Sequence, residues 1–212
     1  RMKLPPLYAI VDYQTALEKG WEVCDLAREY LAGGARLVQV RAPSVASCDY
    51  LGWCDRVVRD AADYDAQVFV NDRADIAVMA GAAGVHVGQL DVAPTDVRKH
   101  LSSRLIVGLS VHTPEQLKES VSAPIDYVAV GPIYKTSTKN TGYEEVGLKL
   151  VTRASKMRPF RPVVAIGGIN LERAMEVRRA GATSVAVISD LLEGNRPAQR
   201  VSDYVKALER SL

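Results

Sequence analysis

The sequence predicts an α/β fold, a (β/α)8 TIM barrel, in a single domain over residues 1–212. Three observations carry that prediction. Short Val/Ile-rich runs alternate with helix-like stretches eight times, with no linker or low-complexity segment between them. The apolar runs are nearly continuous, as in parallel strands covered on both faces. A weak repeat stands directly before several strands: Ala32-Gly33-Gly34-Ala35, Ala80-Gly81-Ala82-Ala83 and Ala180-Gly181-Ala182. An open doubly wound sheet would rarely need eight strands, and no GxGxxG follows the first one.

Each element has its own local reason. Leu7–Val11 reads as the first strand, and the helix over 21–32 ends where Gly33-Gly34 can supply a C′ glycine. Leu37–Arg41 is the second strand, followed by a helix over 46–62. Val68–Asn71 leads into a helix over 73–80, stopped by Gly81. Val85–Gly88 is followed by a helix over 94–101. After Ile106–Val111, Thr113-Pro114 supplies an N-cap and a first-turn proline for a helix over 114–120. Tyr127–Gly131 is the sixth strand. The segment Pro132–Val146 then breaks the rhythm, and a loop that long in a compact domain is usually functional. A helix over 147–157 and the strand Val163–Ile166 follow. Asn170 caps a helix over 171–180, which Gly181 ends. Ser184–Ile188 and a helix over 197–210 complete the set.

Composition narrows the function. Lys and Arg total 27 against 25 Asp and Glu, a net charge of +2, which argues against a nucleic-acid partner. Hydrophobic residues at 48% with 25% charged residues describe an ordinary globular chain, and 6% aromatics predict a core of Val, Ile, Leu and Ala. Cys24, Cys48 and Cys54 form no CxxC pair and read as reduced thiols, small buried hydrophobes in a cytoplasmic protein. No apolar run approaches the roughly 20 residues that cross a bilayer. The first six residues carry no long apolar run, so no leader is expected. Small molecules are the expected partners, and a homodimer stays open.

In a parallel barrel, polar residues past each strand converge on one cavity. They divide chemically here. Asp72 and Asp91, on neighbouring strand ends, are hard oxygen ligands suited to Mg²⁺ held by carboxylates and substrate phosphates. Asp72 would otherwise cap the helix at Arg73, and Asp91 would otherwise serve a turn. Arg41 and Lys139 are cations for pyrophosphate oxygens. Gly167-Gly168-Ile169-Asn170 precedes a helix start, and with Ser189 it suits a phosphate. His86 is either a core or a cavity-lining group, His112 is an acid/base candidate, and His100 reads as surface. Two anionic sites and one metal suggest group transfer from a diphosphate to a phosphorylated acceptor.

Five motifs stand in order over roughly residues 7–190. They are Val38-Gln39-Val40-Arg41, Val70-Asn71-Asp72-Arg73-Ala74-Asp75, Gly84-Val85-His86-Val87-Gly88-Gln89-Leu90-Asp91, Gly131-Pro132-Ile133-Tyr134 with Thr136-Ser137-Thr138-Lys139, and Ala165-Ile166-Gly167-Gly168-Ile169. Together they resemble the thiamine phosphate synthase family. The resemblance implies coupling of hydroxymethylpyrimidine diphosphate to a thiazole phosphate, with release of pyrophosphate through a dissociative carbocation mechanism. It implies Mg²⁺ on Asp72 and Asp91. It implies the pyrimidine diphosphate on Gln39, Arg41, Asn71, Ser110 and Lys139, with Arg41, Ser110 and Lys139 catalytic. It implies the thiazole phosphate on Thr136, Ser137, Thr138, Gly168, Ile188 and Ser189. The family pattern Gln-x-Arg-x-Lys ends here in Pro43, and one charge-assisted contact to a diphosphate contributes about 1.5–3 kcal/mol. The resemblance therefore extends to two alternatives: the related thiazole tautomerase, with His112 as acid/base, and a non-catalytic thiazole-phosphate binding protein. The loop over 134–145 is expected to close over the site and exclude water.

Overall fold

The computed structural model describes residues 3–136, 142–157 and 161–210. Eight parallel strands close in sequence order, β1 (Leu7–Asp12), β2 (Leu37–Arg41), β3 (Gln67–Asn71), β4 (Gly84–Val87), β5 (Ile106–Val111), β6 (Tyr127–Val130), β7 (Val163–Ile166) and β8 (Ser184–Val187). Pairing of Leu7 with Val185 and of Ala9 with Val187 closes the ring. Around it run α1 (Tyr13–Glu18), α2 (Val23–Ala32), α3 (Ser47–Ala62), α4 (Ala74–Met79), α5 (Pro94–Asp96), α6 (Pro114–Glu119), α7 (Gly147–Ser155), α8 (Leu171–Arg179) and α9 (Pro197–Glu209). The predicted fold class is therefore the observed one. The expected helix over 94–101 is a single α-turn that continues as a π-helix, Val97–Leu101. Two elements went unpredicted: α1, and a 3-10 segment Ser189–Asn195 after β8. Both precede or follow a strand end directly, where strand and helix signals overlap.

Capping follows the sequence signals. Thr113 accepts from Gln116 N and starts α6, and Asn170 accepts from Arg173 N and starts α8. Gly181 adopts φ +108 after α8, a conformation costly for a residue with a Cβ.

The alternation of each strand builds two cores. One face, with Val38, Val40, Val70, Val85, Val107, Val130 and Val185, packs against the helices in the aliphatic layer the composition predicts. The other face fills the barrel, and there the expectation fails. Tyr8, Phe69 and Tyr127 cluster in the interior with Leu4, Ile10 and Leu37. Phe69 and Tyr127 rings lie 6.0 Å apart, and Tyr8 meets Phe69 edge-on at 5.8 Å. A narrow barrel admits these rings because the opposing positions are glycine. A Cβ on Gly108 would come within 2.0 Å of the Tyr127 ring, and one on Gly84 within 2.9 Å of Phe69. The few aromatics are concentrated where composition cannot place them.

The thiols also depart in part from expectation. All three are free, and Cys54 is buried, where desolvation pushes its thiol up to about 12. Cys24 is half-buried, but Cys48 is exposed on the first turn of α3 and is no core residue. His100 is exposed, as predicted.

Replacing Gly108 with Ala should destabilise the fold by about 2 kcal/mol or more, because the interior has no room to move the Tyr127 ring. A denaturant midpoint indistinguishable from wild type would contradict this packing.

Candidate active site

A cavity of about 390 Å³ opens at the C-terminal end of the strands. Strand parity builds it. Gln39, Arg41, Asn71, His86 and Ser110 occupy inward positions near the ends of β2 to β5, and all line the cavity. Thr136, Gly168, Ile188 and Ser189 line it from the loops after β6, β7 and β8. His112, Lys19, Lys135, Asp190 and Glu193 also contribute. Ser137, Thr138 and Lys139 lie outside the described residues.

The pyrimidine side is held from behind. The Tyr50 hydroxyl, buried on α3, lies 2.8 Å from the Val40 carbonyl and accepts from Asn71 N at 3.1 Å. That bridge joins β2 to β3 and seats Asn71. Burial raises the Tyr50 hydroxyl far above its usual range, so it stays a neutral partner. Asn71 is 4% exposed, and its Nδ2 has no hydrogen-bond partner among the described residues. The same is true of Arg41 Nε. Buried donors are nearly always satisfied, so two orphans on one cavity wall point to an absent acceptor.

Arg41 has a partner that sequence reading missed. Its Nη1 forms an ion pair with Asp12, whose side chain is 2% exposed. Asp12 also caps α1, accepting from Thr15 N at 3.0 Å and Thr15 Oγ1 at 2.7 Å. Asp12 lies one residue past the strand expected over Leu7–Val11 and closes β1. In the structure it engages Nη1 of the guanidinium, while Nε stays buried with no hydrogen-bond partner among the described residues.

The opposite side is a phosphate-shaped cradle. Gly167 and Gly168 adopt φ +105 and +62. A Cβ on Gly168 would lie 2.6 Å from Lys135 O, so the first residues of the β6 loop pack directly on this turn. Tyr134 N donates to Gly167 O at 3.0 Å, and Arg173 donates to Gly168 O at 2.7 Å. Asp190 would repel an anion, but its carboxylate is already engaged, bonded to Arg200 at 2.8 Å and to Tyr204 at 2.6 Å. The chain can thus offer backbone N–H groups at two helix starts, with Asp190 already paired and Glu193 at the cavity rim.

Asp72 and Asp91 follow β3 and β4, which pair at Asn71 and His86. Neither lines the cavity of the described residues. Asp72 does not cap α4. Arg73 occupies that position, and Asp72 sits at φ +63, a conformation rare outside glycine and enriched at functional sites. Asp91 does serve a turn, accepting from Gly88 N at 2.7 Å. Among the described residues no group of three or more His, Cys, Asp or Glu could hold a metal alone. Two carboxylates on adjacent strand ends fit an ion such as Mg²⁺, which completes its shell with phosphate oxygens and water.

His112 lines the cavity with its ring fixed on both sides. Its Nδ1 lies 2.6 Å from Gly131 O, and Tyr143 stacks on it at 4.2 Å. Tyr8 and Lys19, missed by sequence reading, also line the cavity, while Tyr127 packs beneath it. The tyrosines share strand parity with Ile10 and Ala129, and that parity was the signal available.

This fold and cavity define a (β/α)8 barrel with a polar site at the C-terminal ends of its strands. A family model described as thiamine monophosphate synthase matches residues 7–191. The chain is 40% identical over 212 residues to a thiamine-phosphate synthase from Koribacter versatilis, covering 98% of this chain and 97% of that one. It is 36% identical to a thiamine-phosphate synthase from Thermus thermophilus, over 84% of this chain and 86% of that one. The solved thiamine phosphate pyrophosphorylase of Pyrococcus furiosus superposes with a TM-score of 0.86 at 29% identity, covering 97% and 96% of the two chains. The chain belongs to the thiamine monophosphate synthase family and is a transferase that makes thiamine phosphate. Among the described residues, no helix is long and apolar enough to cross a membrane.

Changing Asp12 to Ala should cost about 3 kcal/mol in a denaturant titration, because it strands a half-buried guanidinium and uncaps α1. An unchanged midpoint would show that the pair does not organise this wall.

Proposed function

We propose that the chain couples hydroxymethylpyrimidine diphosphate to thiazole phosphate on this cavity, with Mg²⁺ held by Asp72 and Asp91. The observation that carries the substrate placement is the pair of orphaned donors, Arg41 Nε and Asn71 Nδ2. They fit phosphate oxygens, and on this reading Gln39, Arg41, Asn71, Ser110 and Lys139 hold the pyrimidine diphosphate. Thr136, Ser137, Thr138, Gly168, Ile188 and Ser189 hold the thiazole phosphate in the second cradle.

The chemistry follows from charge. Mg²⁺, when bound, neutralises negative charge on the departing diphosphate. Arg41, oriented by Asp12, would stabilise the same charge, and on this reading Lys139 adds a second cation. Pyrophosphate leaves, the pyrimidine methylene carries the positive charge, and the thiazole nitrogen attacks it. The cavity walls formed by Ile166, Ile188 and Ala129 exclude water that would trap that cation. The residues of the β6 loop expected to complete this cover include 137–141, which lie outside the described residues.

Pro43 stands exposed in the turn after β2, where the family pattern has a lysine. Lys135 lines the cavity and supplies a positive charge near the phosphate cradle. Retention of Asn71, Asp72, Asp91 and Lys139 supports the diphosphate reaction over the tautomerase, which needs no metal. The free thiols support a reducing compartment, and the cytoplasm is the proposed location.

Purified protein with Mg²⁺ and both substrates should release pyrophosphate and form thiamine phosphate, and a chelator should stop it. Asp72→Ala should lower turnover at least a hundredfold, about 2.7 kcal/mol in barrier. Metal-independent turnover of either variant would refute the metal assignment.

A further inference from the structure

In the glycine turn after β7, both carbonyls are already taken. Tyr134 N donates to Gly167 O at 3.0 Å, and Arg173 Nη1 donates to Gly168 O at 2.7 Å. The N–H groups of the same two peptide units are not. Among the described residues, Gly168 N and Ile169 N have no hydrogen-bond acceptor, although Ile169 is buried. Buried backbone donors are nearly always satisfied. Gly167, Gly168, Ile169 and Asn170 all line the cavity of the described residues, and Arg173 is not part of that lining.

Peptide geometry links the taken groups to the untaken ones. A trans peptide is planar, with its C=O and N–H on opposite sides. A carbonyl held by Arg173 therefore turns the N–H of the Gly168–Ile169 unit the other way. Tyr134 N does the same for the Gly167–Gly168 unit. With no Cβ, glycine populates both signs of φ, so the turn at φ +105 and +62 is selected by these bonds rather than by its own preference. Arg173 is anchored in turn. Its backbone N donates to the Asn170 side chain at 2.9 Å, and its guanidinium lies 4.5 Å over the Tyr134 ring. The Tyr134 hydroxyl donates to Glu176 at 3.0 Å, so α8 holds both the ring and the guanidinium. The last of the five sequence motifs ends at Ile169, before Arg173.

We propose that Arg173 is a positioning residue for the transfer reaction: it holds the Gly168 carbonyl so that Ile169 N joins Gly168 N in facing the phosphate of the thiazole substrate. The inference rests on the thiazole-phosphate placement above. Successive backbone N–H groups in such a turn form an anion-binding concavity. A cationic donor on the carbonyl also polarises the peptide and strengthens the N–H at its other end. Arg173 acts through the turn and does not touch the phosphate.

The test is steady-state kinetics of the full chain with Mg²⁺ and both substrates, with pyrophosphate release as the readout. Arg173→Ala should raise KM for the thiazole phosphate about tenfold, the worth of one charge-assisted hydrogen bond, and leave kcat and KM for the pyrimidine diphosphate unchanged. Arg173→Lys keeps a cationic donor and should recover most of that loss. The ratio between wild type and Arg173→Ala should persist at about 0.5 M salt, where attraction between separated charges is screened. A merely structural role would move both KM values or kcat. That result, no rescue by lysine, or a ratio that salt abolishes would each overturn the proposal. Should wild type make thiamine phosphate and Arg173→Ala match it, the positioning role alone fails. Should wild type release no pyrophosphate, the proposed function fails and the role of Arg173 falls with it.

Discussion

A closed eight-strand barrel has no edge, and every second side chain on its strands points into a space without bulk water. Those inward groups must either pack or bond to one another, and nearly everything else in this structure follows. At the bottom, Leu4, Leu37 and Phe69 pack. At the top, Gln39, Asn71, His86 and Ser110 are polar and open to the cavity. Tyr127 stands at the boundary, its ring packed on Gly108 and its hydroxyl committed to Tyr8 and His86. One residue thus joins an apolar floor to a polar ceiling.

Above that floor, charges are sorted by partner rather than by number. The near-zero net charge hides this. Arg41 is tied to Asp12 and still keeps an unsatisfied donor on the wall, so the pair orients the cation without satisfying all of its donors. Asp190 sits beside the phosphate cradle but is engaged by Arg200 and Tyr204. In both places a carboxylate beside the proposed anion sites has been given a cation of its own. Buried charges survive only when paired, and these pairings decide where an anion can sit.

Much of this was legible in the sequence. Near-continuous Val/Ile runs located the strands to within a residue or two, because both faces of a barrel strand are buried. The polar residues at strand ends were readable for the same reason, since parity carries Gln39, Arg41 and Asn71 inward. What escaped required register or length. The Asp12–Arg41 pair depends on β1 and β2 aligning those two residues, which no single-strand pattern shows. Helix α1 is too short to show a period, and its N-cap is the strand's own last residue. The aromatic interior escaped because composition counts rings without placing them, although Gly84 and Gly108 mark the positions that make room. Asp72 read as a helix cap on local chemistry, and its left-handed backbone removes it from that role.

On the proposed function, the inward polar groups of β2 to β5 and the glycine turn after β7 form two halves of one substrate site. A crystal structure with Mg²⁺, an unreactive analogue of the pyrimidine diphosphate and thiazole phosphate tests it most directly. The expected result is the pyrimidine ring between Gln39 and Ser110, diphosphate oxygens on Arg41 and Asn71, and the thiazole phosphate at Gly168 and Ser189. A pyrimidine ring bound elsewhere, with Arg41 Nε and Asn71 Nδ2 still unpartnered, would contradict it.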